Sequence, residues 1–265
     1  MKPANWVLLA ATFFLYLPIA VMVVFSFNQS ELMAFPLSGF TLKWYGDLFA
    51  SRNILSGLLT SILLAQPIAI LATVLGLMAA LALSALPRVL AAVFGILLLV
   101  PFLIPKGVLA IAQIMLMSRV PIDRGTIPLI VSQVSVILPF TTLVLVSVVV
   151  RLDKALEEAA RDLGASAWQA FRRVVLPQLK TALSAAYSIA VILSVSDLTL
   201  SMFLAGRTQP LSIIVASAFR TKLSPNLNAM QVLILLATIA IVVAIEMARR
   251  RRSRVGRSAS AREES

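Results

Sequence analysis

The sequence predicts an all-α, polytopic membrane protein with about six transmembrane helices, and three observations carry that prediction. The 265-residue chain is 60% hydrophobic and only 13% charged, more apolar surface than a soluble domain of this length can hide. The apolar residues come in runs of about 20, the length that crosses the hydrocarbon at about 1.5 Å per residue. The alternating segments of about ten residues that mark a membrane β-barrel do not occur.

The spans are expected near Trp6–Phe27, Leu58–Leu83, Val89–Met117, Ile127–Val150, Leu183–Leu204 and Ala229–Met247. The third is too long for a straight crossing, and Pro101 and Pro105 should bend or break it. The first is expected to be a retained helix. Its apolar stretch is too long for a signal peptide, and no small-x-small cleavage site follows it. The outer segment after it carries Trp44, Tyr45 and Phe49, aromatics that sit well at the headgroup level, so a short interfacial helix is expected there. The chain thus divides into residues 1–57, the first span with its outer segment; 58–248, a core of five helices with a cytoplasmic loop at 151–181; and a basic tail, 249–265. There is no internal duplication, so both halves of a symmetric pore would come from two chains.

Lysine and arginine set the orientation. With both termini cytoplasmic, the inner segments hold Lys2, Arg88, the loop Arg151–Lys180, and Arg249, Arg250, Arg251, Arg252 and Arg254 of the tail. The outer loops hold fewer basic residues, offset by Glu31, Asp47 and Asp123. The net charge of +12 therefore fits contact with anionic lipid rather than nucleic acid. Beyond the arginines, Ser258–Ser265 has the composition of a disordered segment. The chain has no Cys and no His, which removes thiol chemistry, disulfides, histidine acid–base catalysis and the common zinc sites. No catalytic or metal-ligating set is expected.

The loop is the most informative segment. Leu152, Ala155, Leu156, Ala159, Ala160 and Leu163 recur at helical spacing on one face, with Asp153, Lys154, Glu157, Glu158, Arg161 and Asp162 on the other. Gly164 should end that helix by adopting φ > 0. Ser166 and Gln169 have the spacing of a capping box for a second helix, whose apolar side is Trp168, Phe171, Val174 and Val175 and which Pro177 should stop. On periodicity alone, this pair of helices could dock on another subunit or pack against the chain's own spans.

A resemblance favours docking. Glu158-Ala159-Ala160, three residues, Gly164, nine residues, then Val174-Val175-Leu176-Pro177 resembles the Glu-Ala-Ala loop of binding-protein-dependent ABC importer permeases, with Val174 where their pattern has Ile. The resemblance implies the type I importer permease fold, and a loop seated in a cleft of an ATPase through Glu158, Ala159, Ala160, Gly164, Leu176 and Pro177. Phe27-Asn28, Gly39–Tyr45, Leu156–Ser166 and Ser224–Ala229 resemble the second permease of spermidine/putrescine systems. Permeases for other small amines, phosphonates and opines share these features.

A charge at mid-membrane costs about 2.5–3.5 kcal/mol and faces a cavity or a partner, and two residues qualify. These are Asp197, which follows Ser196 in the fifth span, and Lys106, which follows Pro105 in the third. Asp197 could hold an ammonium group of the solute and Lys106 an acidic one. Alternatively they contact each other or a partner chain, or Lys106 sits near the outer interface. The polyamine pattern resembles paired acids in the fifth span, and an acid after the third-span proline. Ser196 and Lys106 depart from it, which argues for a zwitterion or amino acid derivative over a strict polycation.

The resemblance implies a permease subunit of an ATP-driven importer in the bacterial inner membrane. It would move a polyamine, amino acid derivative, opine or similar amine or zwitterion by alternating access. Its partners would be a second permease forming a heterodimer, an ATPase dimer, an extracytoplasmic solute-binding protein and membrane lipid. No Gly-x-x-x-x-Gly-Lys loop is present, so ATP and Mg would be bound by the ATPase and the chain itself would need no cofactor. The alternative is a secondary transporter driven by an ion gradient, for which Asp197 and Lys106 are a thin titratable set. A membrane enzyme is disfavoured by the missing His, Cys and clustered carboxylates.

Overall fold

The computed structural model describes residues 3–31, 36–119, 123–221 and 225–236, with Ile239 and Val243. The basic tail, Lys2, Ser224 and most of the second half of the sixth predicted span lie outside the described residues. Eleven helices are assigned in chain order: α1 (Pro3–Ser26), α2 (Lys43–Ala50), α3 (Arg52–Ala85), α4 (Arg88–Leu103), α5 (Lys106–Met117), α6 (Thr126–Val149), α7 (Lys154–Asp162), α8 (Ala167–Ala170), α9 (Leu176–Val195), α10 (Thr199–Leu204) and α11 (Leu211–Thr221). An apolar helix, α12, follows at Pro225–Leu236. Contacts divide the chain into two compact units, residues 1–55 with 215–265, and residues 56–214.

Among the described residues, four helical stretches are long and apolar enough to cross a membrane: Trp6–Ser26, Arg52–Ala85, Thr126–Val149 and Ala167–Val195. The α4–α5 pair forms a fifth, bent by 96° at Ile104–Pro105. The break expected in the third span is therefore present, because Pro105 cannot continue the helix and Lys106 begins a new one. A short helix, α2, stands where the interfacial helix is expected. Within the first unit, Trp44 Nε1 donates to the carbonyl of Asn28 at 2.7 Å, and Ser26 Oγ lies 2.7 Å from the Tyr45 hydroxyl. Phe27 and Tyr45 pack ring to ring at 5.4 Å. The aromatics thus tie the start of α2 to the end of α1.

Small residues set the packing of the second unit. Along α3, Ala65, Ala69, Ala72, Gly76 and Ala80 are buried, while Leu71, Val74, Leu75 and Met78 are exposed. The small stripe lets backbones approach, which is how helices associate in lipid. Thr141 of α6 donates to the Ala72 carbonyl at 2.7 Å. A Cβ on Gly76 would lie 2.5 Å from Thr141 Oγ1 and 3.2 Å from its carbonyl carbon. Gly76→Val should therefore destabilise the α3–α6 contact by about 1–3 kcal/mol, and thermal unfolding in detergent would show it. A variant as stable as the wild type would mean that α3 can slide aside.

Two sequence expectations are corrected. The fifth span was expected as one helix from Leu183 to Leu204, but α9 ends at Val195 and α10 starts anew at Thr199. The reason is Asp197, whose Oδ2 accepts the backbone N–H groups of Leu200 at 3.0 Å and Ser201 at 3.4 Å. That caps a new helix where the old one stops. Pro177 was expected to stop the second loop helix. Instead a π-helical turn at Phe171–Val175 joins α8 to α9, and helix runs without interruption from Ala167 to Val195. The wider turn accommodates a residue that lacks an N–H and would crowd the carbonyl four residues back. Leu176 N–H donates five residues back to Phe171, and Gln178 Nε2 donates to the Val174 carbonyl at 2.9 Å. Helix α11 was not anticipated. Its signal was Pro210 just before an apolar run, and Ser61 Oγ accepts the Leu211 N–H at 2.8 Å.

Candidate functional site

The loop between α6 and α9 is built from local hydrogen bonds. Asp153, expected on the polar face, serves instead as the N-cap of α7, accepting the Ala155 N–H at 3.0 Å. At the other end Gly164 takes φ +89°. Its N–H donates to Arg161 O at 2.9 Å, and the Ala165 N–H donates to Ala160 O at 3.0 Å. These are the two bonds of a Schellman turn. The capping box is complete, with Gln169 N donating to Ser166 Oγ at 3.3 Å and Ser166 N to Gln169 Oε1 at 3.0 Å. Trp168 stacks on Phe171 at 5.7 Å.

This rigid frame presents its motif outward. None of the α7 residues is buried. Glu158 and Ala159 are exposed and Ala160 is half-buried. Leu156 is 50% exposed and Leu163 is 90% exposed. Among the described residues nothing pairs with Glu158. Leu176 and Pro177, at the end of the motif, start α9.

The second candidate lies where two broken spans meet. Lys106 is the first residue of α5, and Asp197 sits in the break between α9 and α10. Lys106 Nζ is 2.7 Å from Asp197 Oδ1; the lysine side chain is 45% exposed and the aspartate 3%. The two residues weighed as solute contacts therefore hold each other. Ser196 is exposed, whereas the neighbouring Ser194 and Ser201 join a buried polar network that the sequence reading missed. Ser194 Oγ donates to Gln133 Oε1 at 2.6 Å, Gln133 Nε2 reaches Ser201 Oγ at 3.4 Å, and Ser201 Oγ donates to the Asp197 carbonyl at 2.8 Å. Ser212 Oγ donates to the same carbonyl at 3.1 Å. The available signal was Gln133, a polar side chain inside an apolar span. Beside the pair lies a cavity of about 170 Å³, walled by Phe102, Phe140, Ile137 and Leu193 and closed at its polar end by Lys106, Asp197 and Gln133.

Residues 72–253 match the model of a protein family, and they hold both the loop and the ion pair. That family is described as the binding-protein-dependent transport system inner membrane component. The chain belongs to this family. The permease is 29% identical to the putrescine transport system permease protein PotI of Escherichia coli (strain K12) over 94% of its own length and 92% of that protein. It is 31% identical to the spermidine/putrescine transport system permease protein PotC of the same strain, over 88% and 89%. Among solved structures, the bacterial alginate ABC transporter in complex with an alginate pentasaccharide-bound periplasmic protein contains a chain that superposes with a TM-score of 0.71. The identity is 14%, and 93% of the permease and 94% of that chain are covered. The likeness shows the type I importer permease fold. The permease is thus a multi-pass inner-membrane component of an ABC importer, and the hydrolysis of ATP belongs to a separate subunit. Nothing supports the ion-gradient alternative.

Proposed function

We propose that this permease pairs with a second, non-identical permease and docks its 151–181 loop on a dimer of ATPase subunits. An extracytoplasmic binding protein delivers a small organic amine or zwitterion, which passes inward by alternating access. In this reading the termini are cytoplasmic and the ATPase pair holds ATP and Mg. Glu158 and Gly164 couple the loop to the ATPase, with Ala159 and Ala160 beside them and Leu176 and Pro177 linking the loop to α9. Lys106 and Asp197 lie on the path of the solute.

One observation carries the reading: the loop is ordered at every turn yet leaves Leu156, Leu163 and Trp168 exposed. A frame that rigid with an uncovered apolar side suits a surface made to be covered. Driving a two-state permease from 1:99 to 99:1 takes about 5.5 kcal/mol of differential binding, which ATP and a loaded binding protein can supply between them. The relatives are named for putrescine and spermidine, which supports a small amine or a related zwitterion.

The test is reconstitution of the permease pair with the ATPase and binding protein in proteoliposomes. Uptake should need ATP, stop with vanadate, and persist when ionophores collapse the ion gradients. Uptake driven by an ion gradient with the ATPase left out would refute the proposal.

A further inference from the structure

We propose that the Lys106–Asp197 pair is a charge-matched seat for a compact zwitterion. The ligand's carboxylate takes over Lys106 and its ammonium takes over Asp197. The inference rests on the reading that both residues lie on the solute's path, and narrows it to one substrate class.

Four features point this way. The pair is unequal: Asp197 is buried, while the Lys106 side chain is 45% exposed and can swing away. The two carboxylate oxygens differ as well. Oδ2 is held by the N–H groups of Leu200 and Ser201, whereas among the described residues Oδ1 takes only Lys106. When the lysine leaves, an oriented oxygen is freed for an ammonium group, and its partner oxygen stays fixed. Gln133 adds a donor, because its Oε1 is held at 2.6 Å while its Nε2 has only a long 3.4 Å contact. The cavity is apolar elsewhere, and among the described residues Asp197 is the only carboxylate lining it.

Charge then selects the ligand. A zwitterion replaces the ion pair partner for partner and leaves the site neutral. A diamine at Asp197 would leave Lys106 facing a second cation, with no further acid among the described lining residues to receive its far end. At about 170 Å³ the cavity is well below the roughly 300–1,000 Å³ of pockets for drug-sized ligands, so the ligand is small and its body apolar.

The test follows Lys106 in the purified importer complex in lipid nanodiscs. Its rate of modification by an amine-reactive reagent is read by mass spectrometry as a ratio to the exposed Lys43, which lies outside the docking loop, and the ratio corrects for reagent consumed by the probes. The probes are 4-aminobutanoate, leucine, phenylalanine and putrescine at equal ionic strength. At least one zwitterion should slow Lys106, by about threefold at twice its Kd, while putrescine does not. In Asp197→Asn the baseline ratio should rise and the protection disappear. A ratio raised by putrescine and untouched by the zwitterions would overturn the proposal, as would a ratio flat with every probe or protection that survives in Asp197→Asn. The labelling needs no ATP. A flat ratio in a complex with ATP-driven uptake therefore refutes the seat alone, and missing ATP-driven uptake refutes the importer reading alone.

Discussion

Gly164→Pro should abolish ATP-driven uptake while leaving the permease inserted and assembled. Proline fixes φ near −65°, whereas the turn needs +89°, and it removes the N–H that donates to Arg161. The Schellman turn then opens and α7 loses its fixed direction relative to the next helix. Gly164→Ala is the graded control. A Cβ there meets nothing within 4 Å, so only the left-handed backbone is penalised, by about 1–2 kcal/mol. If all of that falls on the coupled state, uptake slows by roughly 5–30-fold. Glu158→Ala should match the proline variant in uptake without disturbing the turn, because Glu158 is exposed and makes no bond among the described residues. Vesicle uptake alongside membrane yield checks all three. Normal uptake in Gly164→Pro would show that the loop does not couple.

The second large effect is expected at Asp197. Asp197→Ala removes the partner of Lys106 and strips two backbone N–H groups at the start of α10 of their acceptor. Breaking a buried pair costs about 3–5 kcal/mol. Lys106 is nearly half exposed and can rehydrate, which discounts the loss to about 2–4 kcal/mol. Asp197→Asn should lose less, because its side-chain oxygen can still cap α10. Lys106→Met should be costly on its own, and combined with Asp197→Asn should cost less than the sum. Thermal unfolding of the complex gives the cycle. Simple additivity would mean that the two side chains do not interact.

The parts legible in the sequence were those governed by local rules. Ser166 and Gln169 announced a capping box three residues apart, Gly164 a left-handed turn and Pro105 a broken span, and each follows from chemistry within a few residues. Helix existence followed from apolar length, which the bilayer itself dictates. What stayed hidden depended on neighbours distant in the chain. Lys106 and Asp197 are 91 residues apart, and the sequence could offer their contact as one alternative without deciding it. Gln133 was passed over because its partners Ser194 and Ser201 come from two helices that read as one. Pro177 misled for a different reason: the rule that proline ends a helix holds for α-geometry, and a π turn gives the ring room that four-residue spacing denies it.

That π turn has a mechanical consequence. Because helix continues from Ala167 to Val195, Trp168 of the loop and Ser194 beside the ion pair ride on one rod, about 40 Å long at roughly 1.5 Å per residue. A stop at Pro177 would have made a flexible joint there, and movement of the loop would dissipate in it. A stiff rod behaves as a crank. Tilting its foot by about 5° displaces its far end by some 3–4 Å over that length, more than the 2.7 Å that separates Lys106 from Asp197. An ATPase that shifts the loop by so little would have its hand on the distant ion pair.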